Sequence, residues 1–426
     1  MAQLITIKGT PVTAANEVLV ADSNSKIPAV DGSLVTTMAG GNIAGTIPTA
    51  RLDTGTTANK LVVITGSGLP AVDGSLLTGI VSHTTSASDP TISTNPATGV
   101  GAEWINSTSG KQFICTDATA GANVWTCSGS GSGDIVPWAF GGTNYGFVHG
   151  NHPGSNAVDR WSFASDGNAT DWGNTVGTGR YSKGGNSDKD NGYSYNCGGY
   201  NPPINEIIRF SMTTASTSND VGDLTQTGQN YASMGNATHG WVAGSSIGDT
   251  TRVEKMAFAS SGNATDWSDL LAGTYDGGGA TNGTGTYGYS MGGWSGAPYT
   301  NMIQKINLTA QATSTDVANL SVARQANAGN SSSTHGYCTG GWASGGASNV
   351  TDKFNMSTDA DATDVGNATL SLHERAGSSS TTYGYVVGGS GSSNVIDKFP
   401  FASDANATDV GDLFMSDYAV GSGTQY

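Results

Sequence analysis

Charge is what this chain lacks most. Only 12% of its 426 residues are Asp, Glu, Lys or Arg, about half the usual share, so there is little material for solvated helical faces and little helix is expected. Cations are the scarcer sign: 17 Lys and Arg stand against 33 Asp and Glu, a formal net charge of -16. With no basic patch to neutralise phosphates, nucleic acid is disfavoured as a partner, and so is electrostatic attachment to an anionic membrane. Long apolar runs are also missing, which argues against membrane insertion, and the start MAQLITIKGTPVTAANEV lacks the apolar core of an export signal. Cysteine is sparse: Cys115, Cys127, Cys197 and Cys338 are too few and too scattered for a disulfide framework. No CxxC or HExxH occurs, and the six histidines show no ligand spacing, so neither a metal nor a cofactor is expected.

Glycine, by contrast, is abundant. Its 63 copies, about twice ordinary usage, point to tight turns and short strands in an all-β protein. The glycines recur in order. The YGY-like signature of Tyr383-Gly384-Tyr385 places its central residue at Gly146, Ser194, Gly240, Gly288, Gly336 and Gly384, in steps of 48, 46, 48, 48 and 48 residues. A second register runs beside it, an apolar-x-basic-apolar segment whose basic residue is Arg160, Arg209, Lys255, Lys305, Lys353 or Lys398. An aspartate follows each at a separation of 11, namely Asp171, Asp220, Asp266, Asp316, Asp364 and Asp409. A hairpin with Arg160 opposite Asp171 and Phe163 opposite Asn168, closed by the loop Ala164 to Gly167, would explain that constant spacing. These twelve residues are therefore read as structural cross-strand pairs that set register.

Residues 1–85 carry a different repeat. Thr13-Ala14-Ala15-Asn16 returns as Thr56-Thr57-Ala58-Asn59, and Ile27-Pro28-Ala29-Val30-Asp31-Gly32-Ser33-Leu34 returns as Leu69-Pro70-Ala71-Val72-Asp73-Gly74-Ser75-Leu76. Such Gly/Thr/Ser-rich segments hold too few large apolar residues to close a core on one chain. They fit short strands wound around identical partners, an intertwined elongated stalk; a flexible linker is the alternative. Residues 86–133 read as a linker (SASDPTISTNPATGVG), a small β collar around Trp104, Phe113, Ile114 and Trp125, and a flexible SGSGSG joint.

Two resemblances enter on these residues. GNIAGTIPTARL (Gly41 to Leu52), LPAVDGSLLTGI (Leu69 to Ile80) and the stretch Glu103 to Thr119 with Val124-Trp125 resemble segments of tailed-bacteriophage tail fibres. That resemblance implies a homotrimer, bound through its N-terminal region to a virion tail, baseplate or adaptor protein, with its C-terminal end on the host. The fibre would be assembled in the host cytoplasm and reside in the virion. Residues 134–426 hold six units of four strands each, which is blade arithmetic for a six-bladed β-propeller head. The unit resembles the kelch repeat in its Gly-Gly after the second strand, its Arg near the start (Arg324, Arg375) and a Trp or Val on the last strand (Trp172, Val221, Trp267, Val317, Val365, Val410). It departs from that repeat where Val replaces Trp and at Gly150-Asn151 and Gly244-Ser245. The tail Asp417 to Tyr426 matches an opening strand and is expected to enter the first blade, with Trp138-Ala139-Phe140-Gly141 as competitor for the slot.

Candidate chemistry is thin. The Asp-rich loops 166–171, 359–364 and 404–409 offer alternating oxygens of the kind calcium takes, but their counterparts lack the carboxylates and Asx turns account for them. His239 and His335 stand where other units have Tyr, as packing variants. The loops after the diglycine differ most between units and carry His152, Tyr200, Trp294, Tyr299 and Trp342. Aromatics in Gly/Asn/Ser loops suit contact with a host surface glycan or protein; the alternative is that Trp294 and Trp342 fold back on their own blades. The expected function is that of a non-enzymatic viral tail fibre and receptor-binding protein mediating host adsorption. A polysaccharide depolymerase and a capsid-decorating fibre stand as alternatives.

Overall fold

The computed structural model describes residues 83–128, 138–150, 155–176, 184–200, 202–248, 250–260, 262–296, 299–415 and 422–425. The stalk expected over residues 1–85 lies, as far as Ser82, outside the described residues. Every regular element among the described residues is a β-strand.

A four-stranded sheet comes first. His83–Ser86 runs parallel to Glu103–Asn106, which pairs antiparallel with Gln112–Asp117 and then Val124–Cys127. Phe113, Cys115 and Trp125 form its core, and Trp104 meets Trp125 edge-on at 6.0 Å. Ile114, expected in that core, faces outward and is 37% exposed, because strand alternation puts it opposite Phe113 and Cys115. The stretch read as a linker is fastened down. Ser88 O accepts from Trp104 Nε1 (2.9 Å), Asp89 pairs with Lys111 (2.9 Å) and Ile92 O accepts from Asn123 Nδ2 (2.8 Å). Its Pro and Ser residues made it look like spacer; the buried Asn106 and Asn123 opposite it, both in loops or strand ends, give its polar groups partners.

Six antiparallel meanders of four strands come next. The fourth in chain order shows the plan: Gly278–Thr281, Tyr287–Met291, Met302–Asn307 and Thr315–Asn319 lie side by side in that order. Burial grades across every sheet. The second strand is covered on both faces after its first residue, while the fourth is mostly open, which is why the second reads as a run of bulky residues and the fourth as Thr-Asp-x-Gly. The first strands are Gly184–Asp188, Ala232–Gly235, Gly278–Thr281, Ala328–Ser331 and Ala376–Ser379 for the second to sixth sheets. The first sheet takes its own from the far end of the chain. Ser422–Gln425 pairs with Tyr145–His149 in the register Ser422↔His149 to Gln425↔Gly146, so the tail occupies the slot. Its competitor does not. Gly142 instead makes a parallel bridge to Ser380 in the sixth sheet, and Phe140 O accepts from Gln425 Nε2.

The sheets touch in a fixed circuit. Each first strand lies against the next, from Gly184–Asp188 onwards, and Ser422–Gln425 lies against both Ala376–Ser379 and Gly184–Asp188. The outer strands repeat the circuit in hydrogen bonds of 2.8–2.9 Å: Ser218 N to Asn174 O, Ala264 to Asp223, Ser314 to Asp269, Ala362 to Asn319, Ala407 to Asn367, and Ala169 back to Asp412. Along the inside the first strands meet backbone to backbone. A Cβ on Gly279, Gly329, Gly377 or Gly423 would stand 2.0, 2.2, 2.1 and 2.1 Å from the carbonyl oxygen of Ser233, Gly279, Gly329 and Gly377 respectively. This contact uses glycines that no turn requires.

The YGY signature now has a reason for each letter. The central glycine faces a bulky side chain: a Cβ would reach within 2.3 Å of the Trp161 ring at Gly146, and 2.2 Å of the Phe354 and Phe399 rings at Gly336 and Gly384. The residue after it (Phe147, Tyr195, Trp241, Tyr289, Tyr337, Tyr385) is at most 2% exposed and enters the neighbouring sheet. Tyr195, Tyr289 and Tyr337 donate their hydroxyls to Phe258 O, Met356 O and Phe401 O, each one sheet further on, while Tyr385 stacks on Phe163 of the first sheet at 4.8 Å.

The hairpin register is corrected. Thr170, not Asp171, stands opposite Arg160, and Asp171 pairs with Asp159 across a bulge at Val158/Asp159. The same one-residue shift recurs in the second to sixth sheets: Arg209 faces Asn219, Lys398 faces Thr408 and so on, always the residue before the aspartate. The connecting loop spans 163–169 rather than four residues. Its constant length comes from the inter-sheet bond at Ala169 and its counterparts, a constraint invisible within one hairpin.

Gly329→Ala is expected to lower stability by about 1–3 kcal/mol through overpacking, read as a depressed thermal midpoint. Gly345→Ala, where a Cβ meets nothing within 4 Å, is the control. Equal midpoints for the two variants would contradict the close inner packing.

Candidate contact face

The six basic residues do not pair with the aspartate 11 positions on; in the third sheet it is Arg252, not Lys255, that reaches Asp266 (3.2 Å). Four of them lie over the first residue of the YGY signature instead: Arg160 over Tyr145 (4.4 Å), Arg209 over Tyr193 (4.3 Å), Lys305 over Tyr287 (4.4 Å) and Lys398 over Tyr383 (4.6 Å). Three of the six bridge to the next sheet. Lys305 meets Asp359 (2.8 Å), Lys353 meets Asp404 (2.8 Å) and Lys398 meets Asp166 of the first sheet (2.6 Å). Those are the aspartates that look like calcium ligands in the sequence; each is engaged by a lysine. Being partly exposed, such pairs are worth roughly 0–1 kcal/mol each, so they orient neighbouring sheets more than they hold them. Asp171, Asp220, Asp364 and Asp409 serve locally, each accepting the N–H two residues on at 3.1–3.2 Å.

A meander sends its second-to-third connection and its exit to the same end of the sheet. The diglycine opens that second-to-third connection. Gly292 adopts φ 66° and a Cβ there would lie 2.6 Å from Arg324 O; at Gly244, φ 72°, it would lie 1.9 Å from Thr274 O. Both a left-handed backbone and a close passage of the next connection therefore require glycine. Past the turn the chain forms local β-structure. Trp294 bridges Tyr275 and Tyr299, with its ring edge-on to Tyr299 at 5.1 Å. Trp342 sits in a two-residue strand paired with Arg324–Gln325, and its ring meets His373 at 4.8 Å. So Trp294 folds onto its own loop, whereas Trp342 leans on the approach to the sixth sheet and stays 38% exposed. Tyr200 is 40% exposed. His152 lies outside the described residues. The four described candidates thus share one end of the meanders without converging on one spot.

Four further apolar side chains join them there. Leu271, Val322, Leu370 and Phe414, each two or three residues past an outer strand, are 56, 42, 43 and 61% exposed. Sequence reading missed them, although the recurrence of an apolar residue behind Leu270, Leu320, Ala368 and Leu413 was available as a signal.

Beneath this end lies a buried polar layer, also missed. The residue before each basic one is Asp159, Glu254, Gln304, Asp352 or Asp397 in five sheets, none more than 4% exposed, with Ile208 in the second. Each catches the incoming connection: Met415 N, Thr225 N, Ala272 N, Ser321 N and Thr369 N donate to them at 3.2, 2.6, 3.0, 3.0 and 3.2 Å. Burial raises the Glu254 carboxyl above its ordinary range even though Thr225 donates to it. In two sheets an arginine completes the layer. Arg324 meets Asp352 and Arg375 meets Asp397, both at 2.9 Å with no exposed surface. These are the arginines likened to kelch arginines, yet they occupy different positions, four residues before Ala328 and one before Ala376, and converge only in space.

With this geometry in view, comparison with known proteins adds no name: no family model matches the chain, and no curated protein does.

Arg324→Met should cost about 3–5 kcal/mol by leaving Asp352 buried without its cation, measured by denaturant unfolding. The double change Arg324→Met with Asp352→Asn should recover part of that loss. No recovery would mean that Arg324 acts through packing alone.

Proposed function

We propose that the six meanders form a six-bladed β-propeller and that the chain is a tailed-phage fibre, trimeric through its N-terminal stalk, whose propeller adsorbs to the host surface. The closed circuit of neighbours supports the propeller, and the N-terminal repeats with their phage-fibre texture support the attachment. One observation carries the contact role. All six large apolar side chains exposed among the described residues 138–425, namely Tyr200, Leu271, Val322, Trp342, Leu370 and Phe414, lie at one end of the meanders. The chain arrives at the other. Trp138 packs beside Gly285 in a first-to-second turn of the fourth sheet, and Gly142 pairs with Ser380 in that of the sixth. The face bearing the apolar rim is therefore the one turned away from the chain's point of arrival, which is where a fibre tip meets its receptor. A rim that mixes flat rings with Asn, Ser and Gly fits a glycan or protein surface.

A depolymerase would need two carboxylates in a cleft that admits a sugar chain on both sides of the broken bond. The pair that the described residues place together in a cavity, Asp276 and Glu374, lies in a space of about 130 Å³ lined by Phe140. That is room for about one small ring, so the non-catalytic reading is favoured.

Replacing Trp342, Leu370 and Phe414 together with Ala is expected to reduce adsorption of the purified protein to host cells at least tenfold with an unchanged thermal midpoint. Trp294→Ala with Tyr299→Ala, a pair that packs edge-on against itself, should have the smaller effect. Undiminished adsorption by both variants would remove the proposal.

A further inference from the structure

In each of the six first strands one residue stands opposite the centre of the YGY signature. Ser187, Gly235, Thr281, Ser331, Ser379 and Gln425 pair with Ser194, Gly240, Gly288, Gly336, Gly384 and Gly146. In five of the six the N–H leaves its own sheet and donates to the side chain of its counterpart in the next. Gly235 N reaches Thr281 Oγ1 (3.1 Å), Thr281 N reaches Ser331 Oγ (2.9 Å) and Ser331 N reaches Ser379 Oγ (3.0 Å). Ser379 N then reaches Gln425 Oε1 (3.4 Å), and Gln425 N reaches Ser187 Oγ (3.0 Å). The sixth link is missing, because the counterpart facing Ser187 is Gly235, which has no side chain to accept the bond.

The same interface, between the second and third sheets, is slack in two more places. Two positions before that residue the first strands carry Gly185, Ser233, Gly279, Gly329, Gly377 and Gly423. An approach that leaves 2.0–2.2 Å between a carbonyl oxygen and the place of a Cβ is closed to Ser233, which has one. The Ser233 hydroxyl is buried without a hydrogen-bond partner, and so is Oδ1 of Asn186, whose amide nitrogen crosses to Trp241 O (3.3 Å). On the outside, every other interface has a fastening. Trp172 Nε1 donates to Ser211 O and Trp267 Nε1 to Asn307 O, both at 2.9 Å, and the Lys305–Asp359, Lys353–Asp404 and Lys398–Asp166 bridges join the remaining three. Between the second and third sheets the tryptophan position is Val221. The acid position, six past the basic residue as Asp359, Asp404 and Asp166 are, is Ser261. What remains there is Tyr195 stacked on Phe258 at 5.0 Å, Thr225 N on Glu254 (2.6 Å) and Ala264 N on Asp223 O (2.8 Å).

We propose that the interface between the second and third sheets is a built-in seam, the place where the circuit of sheets parts first. The tail strand, which joins the first sheet without a covalent link to it, is fastened on both sides: Ser379 and the Lys398–Asp166 bridge hold the sixth sheet, while Ser187, Trp172 and the Ser194–Thr424 hydroxyl pair (2.9 Å) hold the second. The head therefore yields away from the point where the two ends of its chain meet, and it opens without releasing its last strand. This inference rests on the closed propeller proposed above.

The test is hydrogen exchange on the full chain, read residue by residue by mass spectrometry with electron-transfer fragmentation. Six equivalent bonds serve as probes, since Ser218, Ala264, Ser314, Ala362, Ala407 and Ala169 each donate to a carbonyl of the preceding sheet at 2.8–2.9 Å. Protection at Ala264 is expected to be about tenfold below that of the other five, the effect of about one missing hydrogen bond on a local opening. Gly235→Ser should raise it to their level. A Cβ at Gly235 stands 3.4 Å from His239 O and 3.5 Å from Asn186 Oδ1, so the added hydroxyl has room to accept from Ser187 N and to donate to Asn186. Gly235→Ala fills the same space without an oxygen and should leave Ala264 as it was. Six equal protections in the unaltered protein, which needs no variant to fold, would overturn the seam and leave the closed propeller standing; equal gains from Ser and Ala would overturn it as well. Lowest protection at Ala169 would overturn both, by showing the array open between its sixth and first sheets.

Discussion

Each sheet hides one bulky side chain inside the next, and the rest of the architecture depends on that arrangement. Tyr195 stacks on Phe258 at 5.0 Å, Tyr337 on Phe401 at 4.8 Å and Tyr385 on Phe163 at 4.8 Å. An aromatic buried this way removes on the order of 150–250 Å² of surface from water, more than any ion pair between the same sheets can offset. A four-stranded meander alone would leave that ring exposed on one flank and the place for its neighbour's ring vacant on the other. Stability is thereby shared among sheets, as in repeat proteins generally, and a first or last sheet without a neighbour would be the weak point. In this chain Tyr385 of the sixth sheet finds its place in the first.

The inner strands state the same constraint geometrically. In the proposed propeller, meanders that each present a ring to the next converge on an axis, and their first strands approach until backbone meets backbone. Only glycine, or Ser233 once, tolerates it. Asp276 and Glu374 lie two residues before two of those strands, both in left-handed backbones. The exposed rim has the opposite origin. Connections there need only span from one sheet to the next, and Asp352, Asp397 and their equivalents fix them from below while the tops vary.

How much of this could be read beforehand depended on whether a residue answers to its own strand or to another sheet. The period, the four-strand unit, the small sheet around Phe113 and Trp125, and the return of the tail to the first sheet were all legible, since each shows as pattern along the chain. The partner of Lys398 was not. Its spacing to Asp409 is constant, which suggested a pair, but Lys398 answers to Asp166, 232 residues away, and the constant spacing reflects the loop's bond to a neighbouring sheet. Among the contact candidates, Tyr200 and Trp342 are exposed as a variable loop suggests, while Trp294 and Tyr299 satisfy each other. Leu370 and Phe414 went unread because an apolar residue behind a strand looks like core until its surroundings are known.

The proposed ring stands or falls on the contact between its first and last sheets. Zero-length carbodiimide coupling tests it directly, since Lys398 Nζ and Asp166 Oδ1 lie 2.6 Å apart, as close as Lys305 and Asp359 or Lys353 and Asp404 at 2.8 Å. Mass spectrometry of the coupled monomer should find all three linkages in comparable yield. Recovery of the Lys305–Asp359 and Lys353–Asp404 linkages without Lys398–Asp166 would mean an open array, and would contradict the closed circuit.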